Sequence, residues 1–268
     1  MTYEPLAKKG LGQHWLKDQD SLVAICQAAQ IKPDDQILEI GPGTGELTKV
    51  LIESGAQITA LEFDQDLIES LQKKFADSNV AIVQGDIRTF DLTQLPKTYK
   101  IVANIPYYLT ANLLRLLTDT TNKPDVAILL VQQEVAERVA KQPGQMSFIS
   151  AAVQLNYEVS LGEVIKANMF TPPPKVDSQI LILRKLSQPR FTDVDYLQLI
   201  RFMKVGFTQP RKTLANNLIS GLQIDRSTIE GWLAKSQLKL TVRAQELSLD
   251  NWHDLLQISN PSLLKQSS

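Results

Sequence analysis

The chain has 268 residues, of which 43% are hydrophobic and 21% charged, with 12 glycines, 13 prolines and a net formal charge of -1. That length accommodates one large or two unequal domains, and the composition excludes a disordered, collagenous or disulfide-scaffold chain. The near-zero total argues against a uniformly basic surface but conceals a division: residues 1–170 carry 15 Lys and Arg against 21 Asp and Glu, and residues 171–268 carry 13 against 8.

No apolar run approaches the roughly 18 residues of a membrane span, and Glu4, Lys8 and Lys9 break any apolar signal core, so a cytoplasmic chain with no membrane partner is expected. Cys26, the single cysteine, lies among Leu22, Val23 and Ile25 and reads as a buried structural thiol.

Gln36 to Ile40 reads as a short strand ending in a glycine cluster, and Glu46 to Glu53 as the helix after it, with Leu47, Val50 and Leu51 at helical spacing. Gln57 to Phe63, Asp64 to Phe75 and Val80 to Val83 repeat strand, helix and strand. Lys100 to Ala103 and Val126 to Val131 are nearly continuous apolar runs, as expected of strands covered on both faces of a parallel sheet. Ser178 to Leu183 reads as a further strand near an edge. The fold class is therefore α/β, a doubly wound, mostly parallel sheet over residues 1–187. After the breaker Gln188, Pro189, Arg190, only helical periods follow: Val194, Leu197, Ile200 and Met203; Leu214, Leu218 and Ile219; Ile229 and Leu233; Leu255 and Leu256. Residues 188–268 are expected to form a small helical domain.

The loop Gly41, Pro42, Gly43, Thr44, Gly45 follows the first of these strands, where open parallel sheets bind ligands. Glu62, at the end of the next strand, is placed to accept hydrogen bonds from two ribose hydroxyls. A dinucleotide fingerprint needs glycine where Glu46 stands, and that carboxylate opposes a pyrophosphate at the helix start. No lysine ends the loop to cradle a nucleotide phosphate. An adenosine ligand without phosphates remains, which S-adenosyl-L-methionine satisfies, and Asp86 after the third strand suits the adenine amino group. The alternative role for Asp86 is turn or helix capping.

Asn104, Ile105, Pro106, Tyr107 follows the fourth strand at the same rim. An adenine amino nitrogen is a poor nucleophile because its lone pair is delocalised into the ring. The Asn104 side-chain carbonyl and the Ile105 backbone carbonyl, accepting its two N–H bonds, favour a pyramidal nitrogen and stabilise developing positive charge. Tyr107 offers a face on which the base stacks.

These motifs, with KKGLGQHWL from Lys8, FTPPPKVDS from Phe170 and GFTQPRKTLANNL from Gly206, resemble the ribosomal RNA adenine dimethylases, nearest to the small-subunit type, over almost the whole chain. The resemblance implies a Rossmann-like class I methyltransferase fold. It also implies N6-dimethylation of two adjacent adenosines near the 3′ end of small-subunit rRNA in an immature ribosomal subunit. His14 and Leu16 become cofactor contacts beside Gly41, Gly43, Glu62, Asp86 and Asn104, and Phe170 becomes the second face of a clamp on the target base. The family usually has Asn and Phe where His14 and Trp15 stand. No metal-spaced cluster accompanies His14, a monomer is expected, and Lys8, Lys9, Arg211 and Lys212 are the expected RNA contacts. Two competing readings are the macrolide-resistance type of large-subunit adenine methylase, against which Thr44 and a pI near 6.2 stand, and an assembly factor acting mainly by binding.

Overall fold

The computed structural model describes residues 7–259. Its contacts divide the chain into two compact units. One runs to Glu137 and resumes over Tyr157–Lys185; the other takes Arg138–Asn156 and begins again at Leu186.

The first unit is built on a seven-stranded sheet. Parallel strands β2 (Gln36–Ile40), β3 (Gln57–Glu62), β4 (Val80–Gln84), β5 (Lys100–Asn104) and β6 (Val126–Gln132) are joined by antiparallel β7 (Tyr157–Ile165) and β9 (Ser178–Lys185), in the order β4-β3-β2-β5-β6-β9-β7. All but the last residue of β6 is buried, as its uninterrupted apolar run requires. β9 lies between β6 and the edge strand β7, so the strand expected near an edge is the last but one. The edges are β4 and β7, and β7 is disguised by Glu158, Ser160, Gly162 and Glu163, since an edge strand buries few of its side chains. A separate two-stranded ribbon pairs β1 (Trp15–Leu16) with β8 (Phe170–Thr171).

Helices α1 (Gln19–Ala29), α2 (Glu46–Ile52), α3 (Gln65–Lys74), α4 (Thr110–Asp119) and α5 (Gln133–Val139) belong to the strand connections. Asp18 and Asp64 cap α1 and α3 by accepting backbone N–H bonds from Ser21 and Asp66. The carboxyl end of α1 is closed by cations: Lys100 Nζ bonds the Ala29 and Gln30 carbonyls, and Arg184 that of Ala28. Leu22 and Ile25 of α1 are buried against Ile37, Val102 and Ile128. Cys26 is half-buried on the same helix, and burial, with Glu39 and Glu53 nearby, pushes its thiol up to about 12, which keeps it protonated and unreactive.

The second unit contains α6 (Phe148–Gln154), α7 (Tyr196–Gly206), α8 (Leu214–Leu222), α9 (Arg226–Lys235) and α10 (Leu249–Ile258) around a core of its own. Met146, Ala151 and Leu155 are buried in that core with Leu199, Phe202 and Met203, and the Gly144 and Met146 N–H groups donate to the Gln245 carbonyl. Residues 138–156 therefore pack with the helices, and the division expected at residue 188 is crossed by an inserted segment. The stripe on α7 is also rotated from the expected one: Leu199, Phe202, Met203 and Gly206 are buried, whereas Leu197 is 57% exposed. Among the described residues no helix is long and apolar enough to cross a membrane.

Candidate active site

In the strand order, β3 and β4 lie to one side of β2 and β5 to the other. The connections diverge there and leave a crevice at the carboxyl ends of β2 and β5. The Gly41 and Asn104 loops face each other across it; a Cβ on Gly41 would lie 3.9 Å from the Asn104 carbonyl oxygen. The cleft holds about 1040 Å³, open mouth included, and gathers every residue expected to bind the donor or act in catalysis: His14, Leu16, Gly41, Gly43, Glu62, Asp86, Phe170 and the run Asn104, Ile105, Pro106, Tyr107.

The glycine loop is shaped by what touches it. Gly41, Gly43 and Gly45 have φ of 69°, 58° and 81°, the left-handed region that disfavours a Cβ. The Gly43 N–H donates to Glu62 at 3.0 Å, and the Asp64 N–H donates to the other Glu62 oxygen at 2.7 Å. Burial raises the Glu62 carboxyl above its ordinary range, although these backbone donors oppose the rise. Each oxygen retains acceptor capacity for a ligand hydroxyl.

Behind the loop, Glu39 is 1% exposed. Burial raises its carboxyl to about 8, against the Thr48 hydroxyl that donates to it at 2.7 Å and with the help of the negative Glu62.

Asp86 both lines the cleft and organises a turn. Its carboxylate accepts the Arg88 backbone N–H and the Arg88 side chain, and its carbonyl accepts the Thr89 and Phe90 N–H groups. The Arg88 hydrogen bonds hold Asp86 below the usual carboxylate range. The capping role and the cleft position thus coexist.

Asn104 ends β5 half-buried, and among the described residues no hydrogen-bond partner is recorded for its side-chain amide. Tyr107 is fixed at both ends, by a 2.8 Å bond between its hydroxyl and the buried Ser178 and by stacking with His14 at 6.1 Å and 21°. His14 lies 2.7 Å through Nδ1 from the Pro172 carbonyl; a carbonyl can only accept, so Nδ1 carries the proton. Phe170 is 3% exposed within the core of this unit, and so presents much less of its ring than an open clamp does.

The N-terminal segment is tied over the glycine loop. Lys8 Nζ lies 2.6 Å from Asp64 and 2.5 Å from Asp66, and Gln13 donates to Asp64 at 2.9 Å. Burial raises the Asp64 carboxyl, but Lys8 and Gln13 bring it below its ordinary value. Lys8, expected on an RNA surface, is thus a tether held by two carboxylates. Lys9 is exposed. In the second unit Arg211 and Lys212 are exposed in the turn between α7 and α8, and among the described residues no carboxylate partner is recorded for either.

The sequence reading missed Gln13, Phe63, Arg88 and Ser178. Phe63 adjoins Glu62, Arg88 follows Asp86 by two positions, and Ser178 closes the FTPPPKVDS run, so proximity to a motif was the available signal. It also missed Arg201 and Lys204, which with Leu197 form the exposed face of α7.

A family model described as ribosomal RNA adenine dimethylase matches residues 5–260. The protein described as ribosomal RNA small subunit methyltransferase A of Dehalococcoides mccartyi is 36% identical over 93% of this chain and 87% of its own. The protein of the same description from Synechococcus elongatus is 36% identical over 92% of each chain. Among solved structures, a dimethyladenosine transferase from Plasmodium falciparum superposes with a TM-score of 0.75 at 26% identity over 91% of this chain and 96% of that one. The 23S rRNA methyltransferase ErmE shares the fold at a TM-score of 0.75 and 24% identity over 92% of this chain and 99% of that one. The chain belongs to the ribosomal RNA adenine dimethylase family.

Proposed function

We propose that the chain uses S-adenosyl-L-methionine to dimethylate, at N6, two adjacent adenosines near the 3′ end of small-subunit rRNA in an immature ribosomal subunit. The observation that carries this reading is the convergence of Glu62, Asp86 and the Asn104 to Tyr107 run on one cleft at the strand-order reversal. The small-subunit assignment draws on the relatives at 36% identity over more than nine-tenths of the chain.

The residues fit the methyl donor. Glu62 suits two ribose hydroxyls, Asp86 an adenine amino group, and Gly41, where a Cβ would lie 3.9 Å from the Asn104 carbonyl oxygen, permits close backbone approach, while the lysine at the loop, Lys74, is paired with Glu46. The donor supplies an electrophilic methyl group. Asn104, whose amide has no hydrogen-bond partner among the described residues, and the Ile105 carbonyl accept the N–H bonds of the target amino group, localising the lone pair and stabilising charge as it forms. Tyr107, held by Ser178 and His14, supplies a stacking face worth about 1–3 kcal/mol. The target base leaves its stack to reach this site. In the second unit, Arg211 and Lys212, together with Arg201 and Lys204, are cations suited to phosphates.

The test is incubation of the protein and labelled donor with unmethylated small subunits, large subunits and naked rRNA, followed by mapping of modified adenosines. Paired dimethyladenosines confined to the small subunit are expected. Modification of the large subunit alone, or tight subunit binding without methyl transfer, overturns the proposal.

A further inference from the structure

The Arg88 side chain folds back onto Asp86. Its Nε lies 3.0 and 2.8 Å from the two carboxylate oxygens, its Nη2 2.5 Å from Oδ2, and its backbone N–H 2.9 Å from Oδ1. Three donors make four contacts with the carboxylate, two on each oxygen with Nε shared between them, and the planar fork fixes its orientation. The guanidinium carbon also stands 6.0 Å from the centroid of Phe63, a ring left 51% exposed beside Glu62. Phe63, Asp86 and Arg88 all line the cleft. An uncovered aromatic ring near an oriented carboxylate suits a planar heterocycle bearing an exocyclic amino group.

We propose that Arg88 is a positioning residue for the nucleobase of the methyl donor: by holding the Asp86 carboxylate in one orientation, it sets a preference for a 6-aminopurine. The proposal rests on the reading of the cleft as a nucleoside site and deepens it. Arg88 is 49% exposed, so its ion pair contributes little to folding, and its removal is expected to act on ligand choice. Lysine keeps the charge but cannot form the fork.

The test is calorimetric titration with S-adenosylhomocysteine and with its analogue lacking the 6-amino group, alongside melting curves. The wild-type chain is expected to prefer the amino ligand. Arg88→Leu is expected to weaken that ligand by about tenfold, as loss of an oriented charge-assisted acceptor does, with little effect on the analogue and an unchanged melting temperature. Arg88→Lys is expected to recover only part of the preference. Equal losses for both ligands, tighter binding by Arg88→Leu, or full recovery by lysine overturns the role of Arg88 while leaving the cleft a nucleoside site. If the wild-type chain binds neither ligand, the cofactor reading itself fails and the role of Arg88 falls with it.

Discussion

The Gly43 backbone N–H donates to the Glu62 carboxylate at 3.0 Å, so the loop after β2 and the carboxylate ending β3 are joined before any ligand is considered. Glu62 also receives the Asp64 N–H, and Asp64 caps α3 and anchors Lys8 and Gln13. Glu62→Ala strips two backbone donors of their acceptor, at about 1–3 kcal/mol for each one left buried, and removes the proposed ribose contact. Both the melting temperature and the affinity for S-adenosylhomocysteine are expected to fall, the latter at least about tenfold. Glu62→Gln keeps an acceptor oxygen and is expected to recover stability more than affinity. If calorimetry finds wild-type affinity in Glu62→Gln, the charged ribose contact is refuted.

The chemical step has its own variant. Asn104→Ala is expected to lower single-turnover methyl transfer by about a hundredfold or more, the usual effect of losing one preorganised polar group, with a smaller effect on donor binding. Among the described residues the Asn104 amide has no hydrogen-bond partner, so the fold is expected to tolerate the change. A near-normal single-turnover rate would remove Asn104 from the activation of N6.

What the sequence disclosed followed from strong local signals. The strands β5 and β6 were legible because burial on both faces requires uninterrupted apolar runs, as in Val126 to Val131, and the glycine loop because left-handed backbone favours Gly41, Gly43 and Gly45. The edge strand β7 was hidden because its polar residues need no burial. Helix α6 was hidden for another reason: Met146, Ala151 and Leu155 find their partners about fifty residues later, in α7. Long-range pairing of this kind also explains Lys8. A lysine near the N-terminus reads as a free cation until the fold brings Asp64 and Asp66 to it. The phase of α7 failed more simply, since Val194, Leu197, Ile200 and Met203 share a helical spacing but Leu199 and Phe202 define the buried side.

Glu39 makes stability depend on pH. Its folded carboxyl is raised to about 8, against an ordinary value of 4.5, so the folded chain keeps a proton that the unfolded chain releases. Stability from this group therefore falls as pH rises between about 4.5 and 8. Glu39→Gln is neutral throughout and still accepts the Thr48 hydroxyl. His253, whose value is raised by Asp193 and Asp254 against the effect of burial, loses its own stabilising contribution as pH rises, equally in both proteins. Denaturant unfolding at several pH values is expected to show the wild-type chain losing ground to Glu39→Gln toward the alkaline side; parallel profiles would show that Glu39 carries no excess proton.

Arg211 and Lys212 test the proposed RNA surface of the second unit. Both are exposed in the turn that follows α7, and among the described residues neither has a carboxylate partner. Nor do they cap α8, whose first turn is closed by the Thr213 side chain accepting the Asn216 N–H. If both touch phosphates, Arg211→Ala with Lys212→Ala is expected to weaken binding to unmethylated small subunits and to flatten its dependence on log salt by up to about two, near one for each lost contact. Affinity for S-adenosylhomocysteine should hold, because the proposed donor ligands all belong to the first unit, and the melting curve should hold because neither side chain supports the helical core. Binding measured across a salt series decides the matter: a slope unchanged from wild type would take this pair out of the RNA footprint and leave Arg201 and Lys204 as the next cations to replace.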